Sequence, residues 1–115
     1  MKKSKIQDVN GASFIAEKID LHSAELIKDL SFQLKSEYPN LLMVLGAELN
    51  GKASLSVAIS DNLVNNRNLN ANTIVREIAK QINGGGGGQA FYATAGGTDI
   101  SGIDKALLLA KNYLN

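Results

Sequence analysis

The chain has no cysteine and no tryptophan, one histidine, one proline, and charges that nearly cancel. Without cysteine neither a disulfide framework nor a thiolate metal site can form, which fits a reducing, cytoplasmic setting. His22 has no second histidine or cysteine to complete a metal centre, and its place beside a helix start reads as a surface or cap-adjacent position. The acidic residues are spread through turns and solvated helix faces without a convergent pair, so no catalytic residue, metal or cofactor is expected. Twelve Lys and Arg against eleven Asp and Glu leave a formal charge of +1, so a polyanion would have to be met by a local patch. The longest apolar run, LLMVLGA at 41–47, falls far short of the roughly 20 residues that span a bilayer, and no membrane span is expected. The start, MKKSKIQ, passes into a polar, alternating stretch with no apolar h-region, unlike a secretory signal.

What is present is one domain's worth of sequence, 115 residues with hydrophobic periodicity almost throughout. KIQDVNGASFIAEKID alternates apolar and polar residues on both sides of Asn10-Gly11, the dipeptide that favours a type I′ hairpin turn. A helix is expected over about 21–37, with Leu26, Ile27, Leu30 and Leu34 at helical spacing, Asp20 or Ser23 as cap, and Pro39 as stop. A second hairpin turns at Asn50-Gly51, its first strand apolar enough to be buried on both faces. An asparagine-rich connection, DNLVNNRNLNAN, leads to a helix that buries Ile74, Val75, Ile78, Ala79 and Ile82 and exposes Arg76, Lys80 and Asn83. After the glycines, FYATA reads as a short strand, and a last helix over about 102–114 buries Ile103, Ala106, Leu107, Ala110 and Leu114. The expected fold is α/β (α+β): a single domain over residues 1–115, a mixed sheet of four or five strands with three packed helices, in the order ββαββαβα.

Gly84 to Gly88 form an unbroken run, and each ordered glycine gives up more backbone entropy than any other residue. The roughly 27 residues that follow are too few to form a core alone, so the run is read as a loop inside the domain, not a linker. A phosphate loop would need a strand before it and Lys-Ser/Thr followed by a helix after it; here a helix precedes and Gln89-Ala90 follows. What remains is a backbone surface, where glycines bring N–H groups to an anion and admit a flat partner at short range. The candidate nucleic-acid-binding set is Arg76, Lys80, Asn83, Gly84, Gly85, Gly86, Gly87, Gly88 and Gln89, against the plainer reading of an ordinary solvated helix face carrying Glu77. Strand alternation leaves at most one of Phe91 and Tyr92 free to stack on a base.

ANTIVREIAKQINGGGGGQAFYATAGG resembles the C-terminal domain of alanyl-tRNA synthetases, a family also found as the companion domain of DHH phosphoesterases. The shared features are the helix reading IVREIA, the run of glycines, and the small-residue segment Ala93-Thr94-Ala95-Gly96-Gly97. Upstream, LLMVLGAELNGKASLSVAISDNL is similar to the family's strand, NG turn and second strand, so nearly the whole chain is covered. Phosphoesterase companions place a histidine where this chain has Gly87, which favours the synthetase branch. The resemblance implies a C-terminal piece of a larger cytoplasmic ligase. It also implies that the piece binds tRNA at the elbow, helps one tRNA visit the aminoacylation and editing centres, and belongs to a homo-oligomeric parent. Gln89 stands where many relatives have Arg or Lys, Ala90-Phe91 replaces Pro-Asp, and Asn70-Ala71-Asn72 precedes the helix where a basic residue or histidine and a glycine are common. The alternatives are a nucleotide-clamping companion domain of a DHH phosphoesterase and a protein interaction or dimerisation module.

Overall fold

Both NG dipeptides turn as expected, and each joins its strands in two residues. In the computed structural model, which describes residues 6–20 and 23–114, Asn10 and Gly11 have φ of 53° and 84°, and Asn50 and Gly51 have 53° and 79°. These are the paired positive values that a type I′ turn needs. The first turn joins β1 (Gln7–Val9) to β2 (Ala12–Lys18) and the second joins β3 (Leu41–Leu49) to β4 (Lys52–Ile59). The expectations for His22 and for the MKKSK start lie outside the described residues.

Between the hairpins runs α1 (Ala24–Glu37), and Ser23 takes the cap, its side chain accepting from the Leu26 N–H at 3.4 Å. Pro39 disfavours helical backbone in the residue before it, and Tyr38 is accordingly extended. The return from β2 through α1 leaves β2 and β3 parallel, with all other described strand pairs antiparallel.

The strands form one sheet in the order β1-β2-β3-β4-β6-β5, where β5 is Gly84–Gly88 and β6 is Tyr92–Gly97. Three further helices complete the chain: α2 (Asp61–Arg67), α3 (Ala71–Ile78) and α4 (Ile103–Ala110). Among the described residues the single mixed α/β domain thus has six strands and four α-helices in the order ββαββααββα. The expected count is short by α2 and by the strand in the glycines. Asparagine is a poor helix former, so DNLVNNR reads as a loop; burial of Leu63, with Val64 packed beside it, overrides that propensity.

β3 is buried on both faces along Leu41–Ala47. Its odd positions Leu41, Met43 and Leu45 meet Ile27 and Leu34 of α1, whereas Leu42 and Val44 join Ile74, Val75 and Ile78 of α3 and Ile103 of α4. Each such aliphatic side chain contributes about 1.5–3 kcal/mol on burial. The expected buried stripes of α3 and α4 are buried throughout, but Leu26 of α1 is 53% exposed.

Ser60 clasps the two layers at one end. Its buried hydroxyl donates to the Tyr38 carbonyl at 2.8 Å and accepts from the Leu41 N–H at 2.9 Å. Ser60→Ala strands the buried Leu41 N–H and the half-buried Tyr38 carbonyl, at about 1–3 kcal/mol for the first and less for the second, so the expected result in urea denaturation is a loss of about 2–4 kcal/mol with an unchanged m-value. A loss under about 0.5 kcal/mol would show that water replaces the hydroxyl.

Candidate nucleic-acid interface

The glycines are not a loop. Gly84 to Gly88 pair antiparallel with Gly97 to Ala93 and form the outermost strand of the sheet. Sequence pattern favours a loop because glycine weakens a strand interior; close approach to β6 is what requires it. A Cβ on Gly84 would lie 2.0 Å from the Gly96 carbonyl oxygen, one on Gly86 would lie 2.1 Å from that of Thr94, and one on Gly88 would lie 2.7 Å from that of Tyr92. None of the three has positive φ. The A-x-A-G-G segment is small for a related reason. Ala93 and Ala95 are buried in the α3-side core, and a Cβ on Gly97 would meet the Ile82 carbonyl oxygen at 2.2 Å.

Gly85 and Gly87 differ. A Cβ on Gly85 would meet nothing within 4 Å, and one on Gly87 would meet only the Asn72 side chain, at 2.7 Å. The backbone does not demand glycine at either place. Gly88 turns its N–H outward to Asn72 Oδ1 at 3.1 Å, while the next amide, Gln89, turns back to the Tyr92 carbonyl at 2.9 Å. Peptide orientation alternates along an antiparallel ladder, so Gly84 and Gly86 share the outward direction of Gly88 and offer N–H and C=O groups at the sheet edge.

α3 delivers the chain to this edge. The Asn70 side chain caps it, accepting from the Asn72 and Thr73 amides at 2.9 and 3.3 Å, and the Ala71 amide donates to Ala90 in the turn after β5. The helix ends at Ile78 and continues as a 3-10 turn over Ala79–Ile82, so Arg76 and Lys80 straddle the change of pitch. Both are exposed, and Lys80 lies 4.0 Å from Glu77 in an exposed pair of small energetic weight. Lys80 also borders a hollow with Gln81, Leu109 and Tyr113. There burial, and then the Glu77 carboxylate, push the Tyr113 phenol above its ordinary value. Asn83 has a structural role: left-handed at φ 55°, it ends the 3-10 turn and donates from Nδ2 to Thr98 Oγ1 at 3.2 Å. Gln89 is exposed at the tip of the β5–β6 turn.

The strand expected over FYATA is shorter by Phe91. β6 begins at Tyr92, so Phe91 belongs to the turn, and both rings are half-buried. Tyr92 packs against Phe32 of α1 with ring centroids 5.2 Å apart and ring planes tilted by 38°, a contact that no short-range pattern signals. Among the described residues no cluster of three or more His, Cys, Asp or Glu could hold a metal ion, and no helix is long and apolar enough to cross a membrane.

Comparison with known proteins places this arrangement in a family. The sequence profile of the DHHA1 domain matches residues 11–115, and the chain belongs to that family. Among its relatives, the alanine–tRNA ligase of Christiangramia forsetii is 48% identical over 112 residues, 97% of this chain, and that of Bacteroides thetaiotaomicron is 45% identical over 103 residues, 89% of this chain. The chain spans only 13% and 12% of those two proteins. The C-Ala domain of Aquifex aeolicus alanyl-tRNA synthetase has the same fold, with a TM-score of 0.85, 22% identity and coverage of 96% of this chain and 97% of that one. A DHH-domain member of the s1p family of ribosomal proteins is more distant, with a TM-score of 0.56 and 20% identity over 95% of this chain and 27% of that one.

Proposed function

We propose that the chain is the non-catalytic tRNA-binding domain of a cytoplasmic alanine–tRNA ligase. It holds the tRNA elbow so that one tRNA reaches both the aminoacylation and the editing centre. The observation that carries the reading is Gly85: a glycine on an exposed strand edge, with open space where its side chain would be, keeps room for something outside the chain. Glycine inside a strand often marks close approach of a ligand or another backbone, and outward N–H groups at Gly84 and Gly86 suit phosphate oxygens. Arg76 and Lys80 supply charge from the flank, and Gln89 adds a polar tip. Asn83 acts by fixing the corner from which β5 starts. The relatives' name supports alanine tRNA as the partner. Elbow recognition reads shape more than sequence, so the chain alone discriminates little among tRNAs.

The test is tRNA binding across a salt series, with Arg76→Glu/Lys80→Glu alongside. Each lost phosphate contact lowers the slope of log K against log salt by about 0.7–0.9, so the double variant should bind at least tenfold more weakly with a slope lower by about 1.5. An unchanged slope would remove both residues from the interface. Binding that is absent even at low salt, with a mass that grows with concentration, would favour the interaction-module reading, since an open strand edge also templates pairing with another chain.

A further inference from the structure

Three of the six Phe and Tyr rings of this chain gather at one place beside the glycine strand, and none of the three is fully buried. Phe32 of α1, Phe91 of the turn and Tyr92 of β6 line a recess of about 260 Å³ with the Gly87–Gly88 backbone. Lys28, Gln89 and Thr94, all exposed, complete its rim. We infer that this recess is a stacking site for one unpaired RNA base, a step beyond the tRNA-binding reading and resting on it.

Size, charge and polarity agree on the ligand. The volume lies just below the ~300 Å³ at which pockets for drug-sized molecules begin, which suits a single planar ring system whose ribose and phosphate stay outside. Aromatic clusters also receive alkylammonium groups, but here the cations are built in. The Lys35 ammonium sits 4.6 Å from the Phe91 ring centroid and 5.8 Å from that of Phe32, and the Lys28 ammonium sits 6.0 Å from Phe32. A cationic ligand would be repelled, and a base on an anionic backbone attracted.

The two lysines differ in freedom. Lys35 has only 17% of its side chain exposed, pairs with Asp61 at 3.3 Å, and belongs to the neighbouring hollow with Phe32 and Pro39. It holds Phe91 in place. Lys28 is exposed and free to swing from the Phe32 ring to a phosphate flanking the bound base. The Thr94 hydroxyl and the Gln89 amide each present a donor and an acceptor at the rim for the base edge. Because Gly87 and Gly88 form the wall between this recess and the strand edge, an RNA backbone lying along β5 needs to turn only one nucleotide inward to fill it.

The chain has no tryptophan, so Phe91→Trp places a single indole reporter in the recess. Titration with tRNA should quench its emission with the same midpoint as binding followed independently. A fully duplex RNA of similar length should bind with its own salt dependence and leave the emission unchanged. Phe32→Leu, which keeps the apolar contact but removes the stacking face, should weaken tRNA binding about tenfold, and the surface variant Lys28→Gln should lower the salt slope by about 0.7–0.9. Salt-sensitive tRNA binding without quenching, or equal quenching by duplex RNA, would overturn the base site and leave the tRNA reading standing. No tRNA binding by the unaltered chain would overturn both.

Discussion

Gly85→Ala leaves the fold intact and weakens tRNA binding, whereas Gly86→Ala, one residue on, destabilises the sheet. The two glycines are neighbours on the same exposed strand, so composition, exposure and propensity predict the same effect for both. The structure separates them. At Gly86 the added methyl would lie 2.1 Å from the Thr94 carbonyl oxygen and 2.5 Å from the Ala95 Cα, both backbone atoms that move only if the strands part. Overpacking of this kind costs about 1–3 kcal/mol. The cost is bounded because β5 is an edge strand and shifts without dismantling β3 and β4. At Gly85 the methyl meets nothing, and alanine restricts the unfolded chain more than glycine does, so stability should hold or rise by about 0.4–1 kcal/mol. The methyl then occupies the space kept for the RNA backbone, and affinity should fall about tenfold or more. Urea denaturation and tRNA titration of the two variants read these opposite movements directly. Equal destabilisation would mean that β5 lies differently on β6, and undiminished binding by Gly85→Ala would remove the open edge from the interface.

The contrast shows what the sequence makes legible. The NG turns, the buried stripes of α3 and α4 and the doubly buried β3 could be read because each rests on a local rule: paired positive φ at Asn-Gly, or a period of 3.6 or of none. The glycine run could not be read that way. At Gly84, Gly86 and Gly88 its physical cause is that a Cβ would come within 2.0, 2.1 and 2.7 Å of carbonyl oxygens on a strand that arrives after a turn, and no pattern within five identical residues encodes it. α2 was hidden for the converse reason, since its asparagines advertise a loop while Leu63 finds its partners elsewhere in the core. Of the candidate site, the family resemblance marked out Arg76 to Gln89 as one stretch. The division into Gly84, Gly86 and Gly88, which the fold requires, and Gly85 and Gly87, which it does not, needed the structure. So did the Phe32–Tyr92 pair, whose members lie 60 residues apart.

The same reasoning applied to the core gives the largest expected loss of stability. Gly46 lies within β3 with its α-carbon facing α4; a Cβ there would lie 2.4 Å from Ile103 Cγ2 and 3.8 Å from Leu107 Cδ1. Ile103 is buried at the start of α4, and a β-branched side chain in a helix is held to one χ1 rotamer, so it cannot turn aside. Gly46→Ala should therefore cost about 1–3 kcal/mol by pushing α4 off the sheet. Ile103→Ala alone should cost about 2–5 kcal/mol through the cavity it leaves. Together the two relieve each other, because the new methyl enters space the isoleucine vacated. The double variant should be more stable than the sum of the single losses by at least about 1 kcal/mol, within the range measured for residues in contact. tRNA binding should be unchanged in all three folded variants, since α4 packs on β2, β3 and the turn after α3, while the candidate edge lies at β5. Strict additivity would show that α4 adjusts freely over β3. A loss of tRNA binding by the folded double variant would show that the position of α4 reaches the glycine edge through the 3-10 turn at Ala79–Ile82, whose Gln81 carbonyl comes within 1.7 Å of where a Cβ on Gly102 would stand.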